Sequence, residues 1–179
     1  YCVLLPPSYD TEKARRYPVL YYLHGLGDNE QSLVNFGGWS LVENLREQGR
    51  IGEFLIAAPD GGRSFYVNSK DGRERYEDFF VREFLPLIDR NYRTRAVRGA
   101  RGITGFSMGG YGALRFAFAY PQLFGSASAH SAALMVQMPR VNFSGSPRGG
   151  RTAGLLGGVF GLPPDAAYFD RMNPLTLAR

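Results

Sequence analysis

At 179 residues, 44% of them hydrophobic, and with a formal net charge of +5, the chain has the size and composition of one ordinary globular domain with a sizeable core. No run of about 18 apolar residues occurs, so no spanning helix is expected; no N-terminal signal pattern is read, but the chain opens on Tyr1-Cys2-Val3 without an initiator Met, already inside a strand, so its start is expected to be missing. The lone Cys2 excludes an internal disulfide and fits no metal spacing.

In chain order, Tyr1 to Leu5 reads as a strand closed by Pro6-Pro7, and Ser8 to Arg16 as a polar turn region. Pro18 to Leu23 is a continuous apolar run of the kind buried on both faces of a parallel sheet, and it runs into the Gly-rich loop His24-Gly25-Leu26-Gly27-Asp28. Trp39 to Gln48 places Leu41, Val42 and Leu45 on one helical face, with Gly49 as its stop. Phe54 to Ala58 is a further strand, ending in the Pro59-Asp60-Gly61-Gly62 turn and a polar and aromatic loop from Arg63 to Asp71. Asp60 and Asn68 are suited to cap turns there. From Tyr76 to Tyr92 the apolar residues keep helical spacing, and Pro86 predicts a kink or restart because it removes one backbone donor.

The cations are overwhelmingly arginine, with Lys13 and Lys70 as the lysines, and the densest run is Arg90, Arg93, Arg95, Arg98 and Arg101. No aromatic interleaving or recognition-helix pattern accompanies them, so a solvated connector is expected and a nucleic-acid partner is not.

The chain is organised around Gly102-Ile103-Thr104-Gly105-Phe106-Ser107-Met108-Gly109-Gly110: a short apolar strand, a sharp turn carrying one hydroxyl, then a helix. Gly105 and Gly109 flank Ser107 in the G-x-S-x-G spacing of a nucleophile elbow, where a strained turn leaves no room for larger neighbours. Gly112, Ala113, Phe116, Ala117 and Tyr120 continue one face of a helix that ends before Pro121. Phe124 to Ser131 is a small-residue strand, and Val136 to Gly161 reads as a loop or mobile cap holding at most one short helix. Strand and helix alternate throughout, which predicts an α/β fold with a mostly parallel sheet, helices on both faces, and a site at the strands' C-terminal ends.

Taken together, LPPSYD, YPVLYYLHGLGD, FLIAAPDGG, RYEDFF, NYRT, GFSMGGYGAL, YPQLFGSASAHSAAL and NPLTLA, in this order and spacing, resemble the esterase D and feruloyl esterase-like branch of the α/β-hydrolases, relatives of the mycolyltransferases. The resemblance covers essentially the whole chain. It implies a serine esterase acting on short acyl, carbohydrate or feruloyl-type esters through an acyl-enzyme, without metal or cofactor. Ser107 falls on the catalytic serine, and the backbone N–H groups of Leu26 and Met108 on the oxyanion donors. The subgroup that hydrolyses formylated glutathione carries Thr-Cys after the HGL, where this chain has Gly27-Asp28, so carbohydrate or generic short acyl esters are favoured.

Tyr66 and Trp39 are candidates to line a substrate pocket, although each could equally be packing. His24 is expected to anchor the oxyanion loop, and His130 to be a pocket-wall or strand histidine. As a base His130 stands in the wrong order, because the acids that follow Ser107, Asp165 and Asp170, come after it. The family's own acid and histidine lie past the NPLTLA segment. The expectation is therefore one α/β-hydrolase domain over residues 1–179, a fragment lacking the C-terminal strands, with a secreted or periplasmic setting favoured and oligomeric state left open. A noncatalytic binding or scaffold domain and an acyltransferase are the alternatives.

Overall fold

The structure, a computed structural model, describes residues 1–138 and 147–178, with side chains described for 1–138 and 154–178. Five strands form one sheet in the order β1 (Cys2–Leu4), β3 (Leu55–Ala58), β2 (Val19–Leu23), β4 (Arg101–Phe106) and β5 (Ser126–His130). Only β1 runs antiparallel to its neighbour; the pairs among β2, β3, β4 and β5 are parallel. Their C-terminal ends therefore gather on one edge, where Leu23 lies opposite Gly105 and Phe106 opposite His130.

Two short helices, α1 (Ser32–Asn35) and α2 (Gly38–Glu47), follow β2. After β3 come α3 (Tyr76–Phe79) and α4 (Leu85–Asn91), joined by a wider π turn over Phe80–Phe84. The irregularity expected from Pro86 is thus present as that turn, which widens the helix just before the proline, where the missing N–H leaves the preceding turn without one bond. α5 (Met108–Ala119) joins β4 to β5.

The sheet's principal core is aromatic. Tyr21 of β2 meets Phe80, Phe84 and Phe124 edge-on, and Phe80 stacks on Phe116 of α5 with centroids 4.3 Å apart. Each such ring buries roughly 150–250 Å², about 4–6 kcal/mol by area before chain entropy is subtracted. β2 was expected to be buried on both faces, but its burial alternates. Val19, Tyr21 and Leu23 face this core, whereas Leu20 and Tyr22 are half-buried along a trough of ≈ 570 Å³ on the other face. Leu33, Phe36 and Val42 form its far wall. For the same reason α2 lies where predicted but buries no residue fully, and Leu41 stays 60% exposed.

Across the core a buried ion pair ties three helices. The Arg115 guanidinium of α5 donates to both Glu77 oxygens of α3 at 2.9 and 3.0 Å and to the Arg171 carbonyl at 3.2 Å. Arg171 belongs to α7 (Ala166–Met172), which α8 (Pro174–Leu177) follows. Tyr120 adds a hydroxyl donated to Glu77 at 2.8 Å.

The segment from 136 to 161 was expected to be loop with at most one short helix. The structure places the 14-residue α6 (Pro147–Phe160) there, while 139–146 lie outside the described residues. Five glycines hid the helix from propensity, yet Leu156, Val159 and Phe160 make one buried stripe, with Phe160 against Phe65 and Phe169.

The arginine connector is exposed at Arg90, Arg95 and Arg98, as expected, and half-buried at Arg93 and Arg101. Arg93 sits 3.7 Å over the Tyr9 ring, Arg98 donates to the Pro121 carbonyl at 2.7 Å, and Arg101 pairs with Asp89. Among the described residues no helix is long and apolar enough to cross a membrane.

Candidate active site

Ser107 stands between β4 and α5 with φ 54° and ψ −112°, a left-handed conformation that non-glycine residues rarely adopt. Hydrogen bonds pin its backbone on both sides. Its N–H donates to the His130 carbonyl at 2.9 Å, and its carbonyl accepts from Ala133 at 2.9 Å and from Tyr111 at 3.1 Å. A serine preceding a helix usually spends its hydroxyl on an N-cap bond. Ser107 makes none, and among the described residues its Oγ has no hydrogen-bond partner.

The two glycines of the elbow are explained by contact. A Cβ on Gly105 would collide with the Gly109 carbonyl, and one on Gly109 with the carbonyls of Leu23 and His24, the latter at 2.7 Å. The first turn of α5 therefore lies directly on the end of β2. The HG loop abuts the elbow from the other side: a Cβ on Gly25 would sit 3.1 Å from the Phe106 ring.

Two backbone N–H groups flank this junction. Met108 N–H is one of the amides that the first turn of any helix leaves without an internal partner, at the positive end of a 12-residue helix. Leu26 lies just past Gly25, its side chain 43% exposed. Among the described residues neither N–H is bonded to another protein group. The Met108 side chain, by contrast, is buried.

His24 is fully buried and both ring nitrogens are engaged. Nδ1 lies 2.8 Å from the Gly25 carbonyl, so it carries the proton, and Nε2 accepts from the Gly61 N–H at 2.7 Å. The ring ties the HG loop to the turn after β3, the anchoring arrangement expected of it. His130, at the end of β5, lines the trough beside Phe106 and Thr104. Among the described residues no hydrogen bond joins Ser107 Oγ to a histidine ring.

Tyr66 and Trp39, each open between pocket lining and packing on sequence, both make packing contacts in the structure. Tyr66 is 0% exposed, with its hydroxyl on the His24 carbonyl at 2.9 Å, so its ring is unavailable to a ligand. Trp39 is half-buried on α2 beneath the Arg46 guanidinium, 5.0 Å from its ring, which also covers Phe54. Asp60 caps its turn as expected, accepting from Gly62 N–H at 2.9 Å, and Asn68 bonds Asp78. Among the described residues, Leu26, Phe106 and Leu134 bring apolar surface near the elbow, 43, 48 and 40% exposed. Among the described residues no cluster of three or more His, Cys, Asp or Glu could hold a metal ion.

Comparisons with known proteins give the family. A family model described as "Putative esterase" matches residues 1–157. An esterase of Mycobacterium tuberculosis (strain ATCC 25618 / H37Rv) is 40% identical over 134 residues, covering 72% of this chain and 28% of that protein. An endo-1,4-beta-xylanase/feruloyl esterase of Xylanibacter ruminicola is 34% identical over 117 residues, 63% of this chain and 16% of that protein. A solved ferulic acid esterase superposes with a TM-score of 0.70 at 33% identity, over 75% of this chain and 54% of that one. The chain thus spans less than a third of either curated relative and about half of the solved one.

Proposed function

The chain belongs to this esterase family and has the α/β-hydrolase fold, and from that premise we propose that it acts as a serine carboxylic ester hydrolase through an acyl-enzyme on Ser107. The observation that carries the reading is a strained, pinned Ser107 whose hydroxyl, like the two backbone N–H groups beside it, has no partner among the described residues. In the proposed reaction Oγ bonds to the ester carbonyl carbon as its proton passes to a base. The carbonyl π pair moves onto oxygen, and the resulting anion is held by the N–H groups of Leu26 and Met108. Collapse expels the alcohol, which takes up a proton, and leaves an ester on Ser107. Water then repeats the addition on that ester, releasing the acid and restoring the hydroxyl.

Fixed backbone donors cost no reorganisation when the charge appears, and removing one such donor typically costs about 10² to 10³ in rate. The base is not among the groups hydrogen-bonded to Ser107 in the described residues. Without a base, such sites retain about 10³ to 10⁴-fold over water from the oxyanion hole and binding alone.

The substrate class follows from what surrounds the elbow. Leu26, Phe106 and Leu134 offer a shallow apolar rim suited to a short acyl or an aryl group. In α6 the described residues Leu156, Val159 and Phe160 are packed into the core, Phe160 against Phe65 and Phe169. The xylanase/feruloyl esterase and ferulic acid esterase relatives support carbohydrate-linked aromatic esters as natural substrates, which fits an enzyme working outside the cell. They also favour an esterase over a noncatalytic scaffold.

The expected result in the full-length protein is that 4-nitrophenyl acetate is turned over at least about tenfold faster than 4-nitrophenyl palmitate, and that Ser107→Ala removes both activities. A preference for palmitate would reject the substrate class, and undiminished turnover by the alanine variant would reject the nucleophile.

A further inference from the structure

We infer that Tyr66 is a positioning residue for the oxyanion loop: by holding the His24 carbonyl, its hydroxyl fixes the Gly25–Leu26 peptide against the elbow. The inference rests on the serine esterase reading, in which Leu26 N–H is an oxyanion donor.

The loop needs an external hold. It carries Gly25 and Gly27, the latter at φ 88°, and the Leu26 side chain is too exposed to anchor it by packing. A donor that must be fixed before charge develops cannot rely on a glycine-rich loop for its rigidity. The hold comes through backbone atoms. Tyr66 O–H donates to the His24 carbonyl at 2.9 Å, Tyr66 N–H to Ser64 Oγ at 3.0 Å, and Ser64 Oγ to the Gly61 carbonyl at 2.7 Å. Gly61 N–H donates to His24 Nε2, and His24 Nδ1 to the Gly25 carbonyl. These bonds close a ring that starts and ends on His24 and delivers its last bond into the peptide that carries Leu26 N–H.

The Tyr66 side chain is wedged at the meeting point of three segments. A Cβ on Gly61 would lie 2.5 Å from its hydroxyl, and one on Gly112 of α5 would lie 2.7 Å from its Cγ. Both glycines are the space this side chain fills. Tyr76 packs edge-on at 5.3 Å and donates its own hydroxyl to the Asp60 carbonyl, bracing the turn from outside. Burial pushes the Tyr66 phenol far above the usual tyrosine range, so the hydroxyl remains a donor.

Backbone strain marks the same place. Phe65 and Tyr66 have φ 52° and 60°, two consecutive bulky residues in the left-handed region. Such conformations persist only where the surroundings over-determine them, and they concentrate at functional sites.

Tyr66→Phe keeps the wedge and removes the hydroxyl, so it separates positioning from packing. The expected result is a kcat on 4-nitrophenyl acetate about tenfold lower with KM within about twofold. The backbone amide order parameter of Leu26 should also drop from about 0.85 to below about 0.6. A purely structural role would instead change the unfolding temperature and leave Leu26 as rigid as before. An unchanged Leu26 order parameter overturns the inference whatever the turnover does. Should Tyr66→Phe fail to fold, 4-methylphenylalanine at position 66 fills the hydroxyl's space without its donor, and a rigid Leu26 there overturns the inference equally. Ser107→Ala in parallel keeps the two readings apart: retained turnover sinks the esterase reading, whereas abolished turnover beside a rigid Leu26 in Tyr66→Phe sinks only the positioning role.

Discussion

Gly109→Ala is expected to abolish ester turnover and to lower stability by about 3 kcal/mol, the upper end of the usual cost of overpacking. The added methyl would enter the Leu23 carbonyl and lie 2.7 Å from the His24 carbonyl, and neither obstacle is a side chain that can rotate away. Either α5 lifts from the end of β2 or the β2 end shifts, and both movements pull the Met108 and Leu26 N–H groups apart. For a chain of this size that loss corresponds to an unfolding midpoint roughly 6–12 °C lower. Gly154→Ala on α6 is the matched control, since nothing lies within 4 Å of its Cβ position. There the helix gains about 0.5–1 kcal/mol from the better helix former. Thermal unfolding of the two variants side by side checks the assignment, and a Gly109→Ala protein as stable as the parent would mean that helix and strand are not packed this closely.

Glu77→Ala should be comparably damaging for a different reason. It leaves the Arg115 guanidinium, buried beneath α3, without its carboxylate and strips Tyr120 of its acceptor. Removing one partner of a buried ion pair typically costs about 3–5 kcal/mol, because the other charge stays desolvated. Replacing both partners by apolar residues, Glu77→Leu with Arg115→Met, should recover most of that loss. Urea unfolding measures it as a lower midpoint at unchanged slope. If the single and double variants lose the same amount, the uncompensated charge is not the cause, and the carboxylate contributes chiefly through Tyr120 and the packing around it.

The sequence was most legible where one physical requirement allows few residue types. Glycine at 105 and 109 is dictated by backbone contacts under 3 Å, and the alternation of strand and helix follows from hydrophobic period alone. Tyr66 stayed open between pocket wall and packing, because an aromatic in a loop at a strand end can equally wall a pocket or plug a core. Its left-handed backbone is invisible in a residue other than glycine. The Glu77–Arg115 pair joins positions 38 apart, and no local pattern announces it. α7 did have signals: Asp165 caps it through the Tyr168 N–H at 2.9 Å, and Asn173 before Pro174 opens α8 in the same way. For α6, glycine content outweighed the apolar stripe in a propensity reading, whereas in the fold burial of Leu156 and Phe160 outweighs propensity.

The central claim is that the Ser107 hydroxyl at the elbow is the nucleophile. Peptide mapping by mass spectrometry after treatment with an excess of a fluorophosphonate tests it most directly, because the phosphorus forms a bond to the attacking oxygen and stays there. The account predicts a single adduct on Ser107 and none in Ser107→Ala, with Tyr66→Phe labelled at the same position but more slowly. An adduct on any other residue, or an alanine variant labelled as fast as the parent, would contradict it.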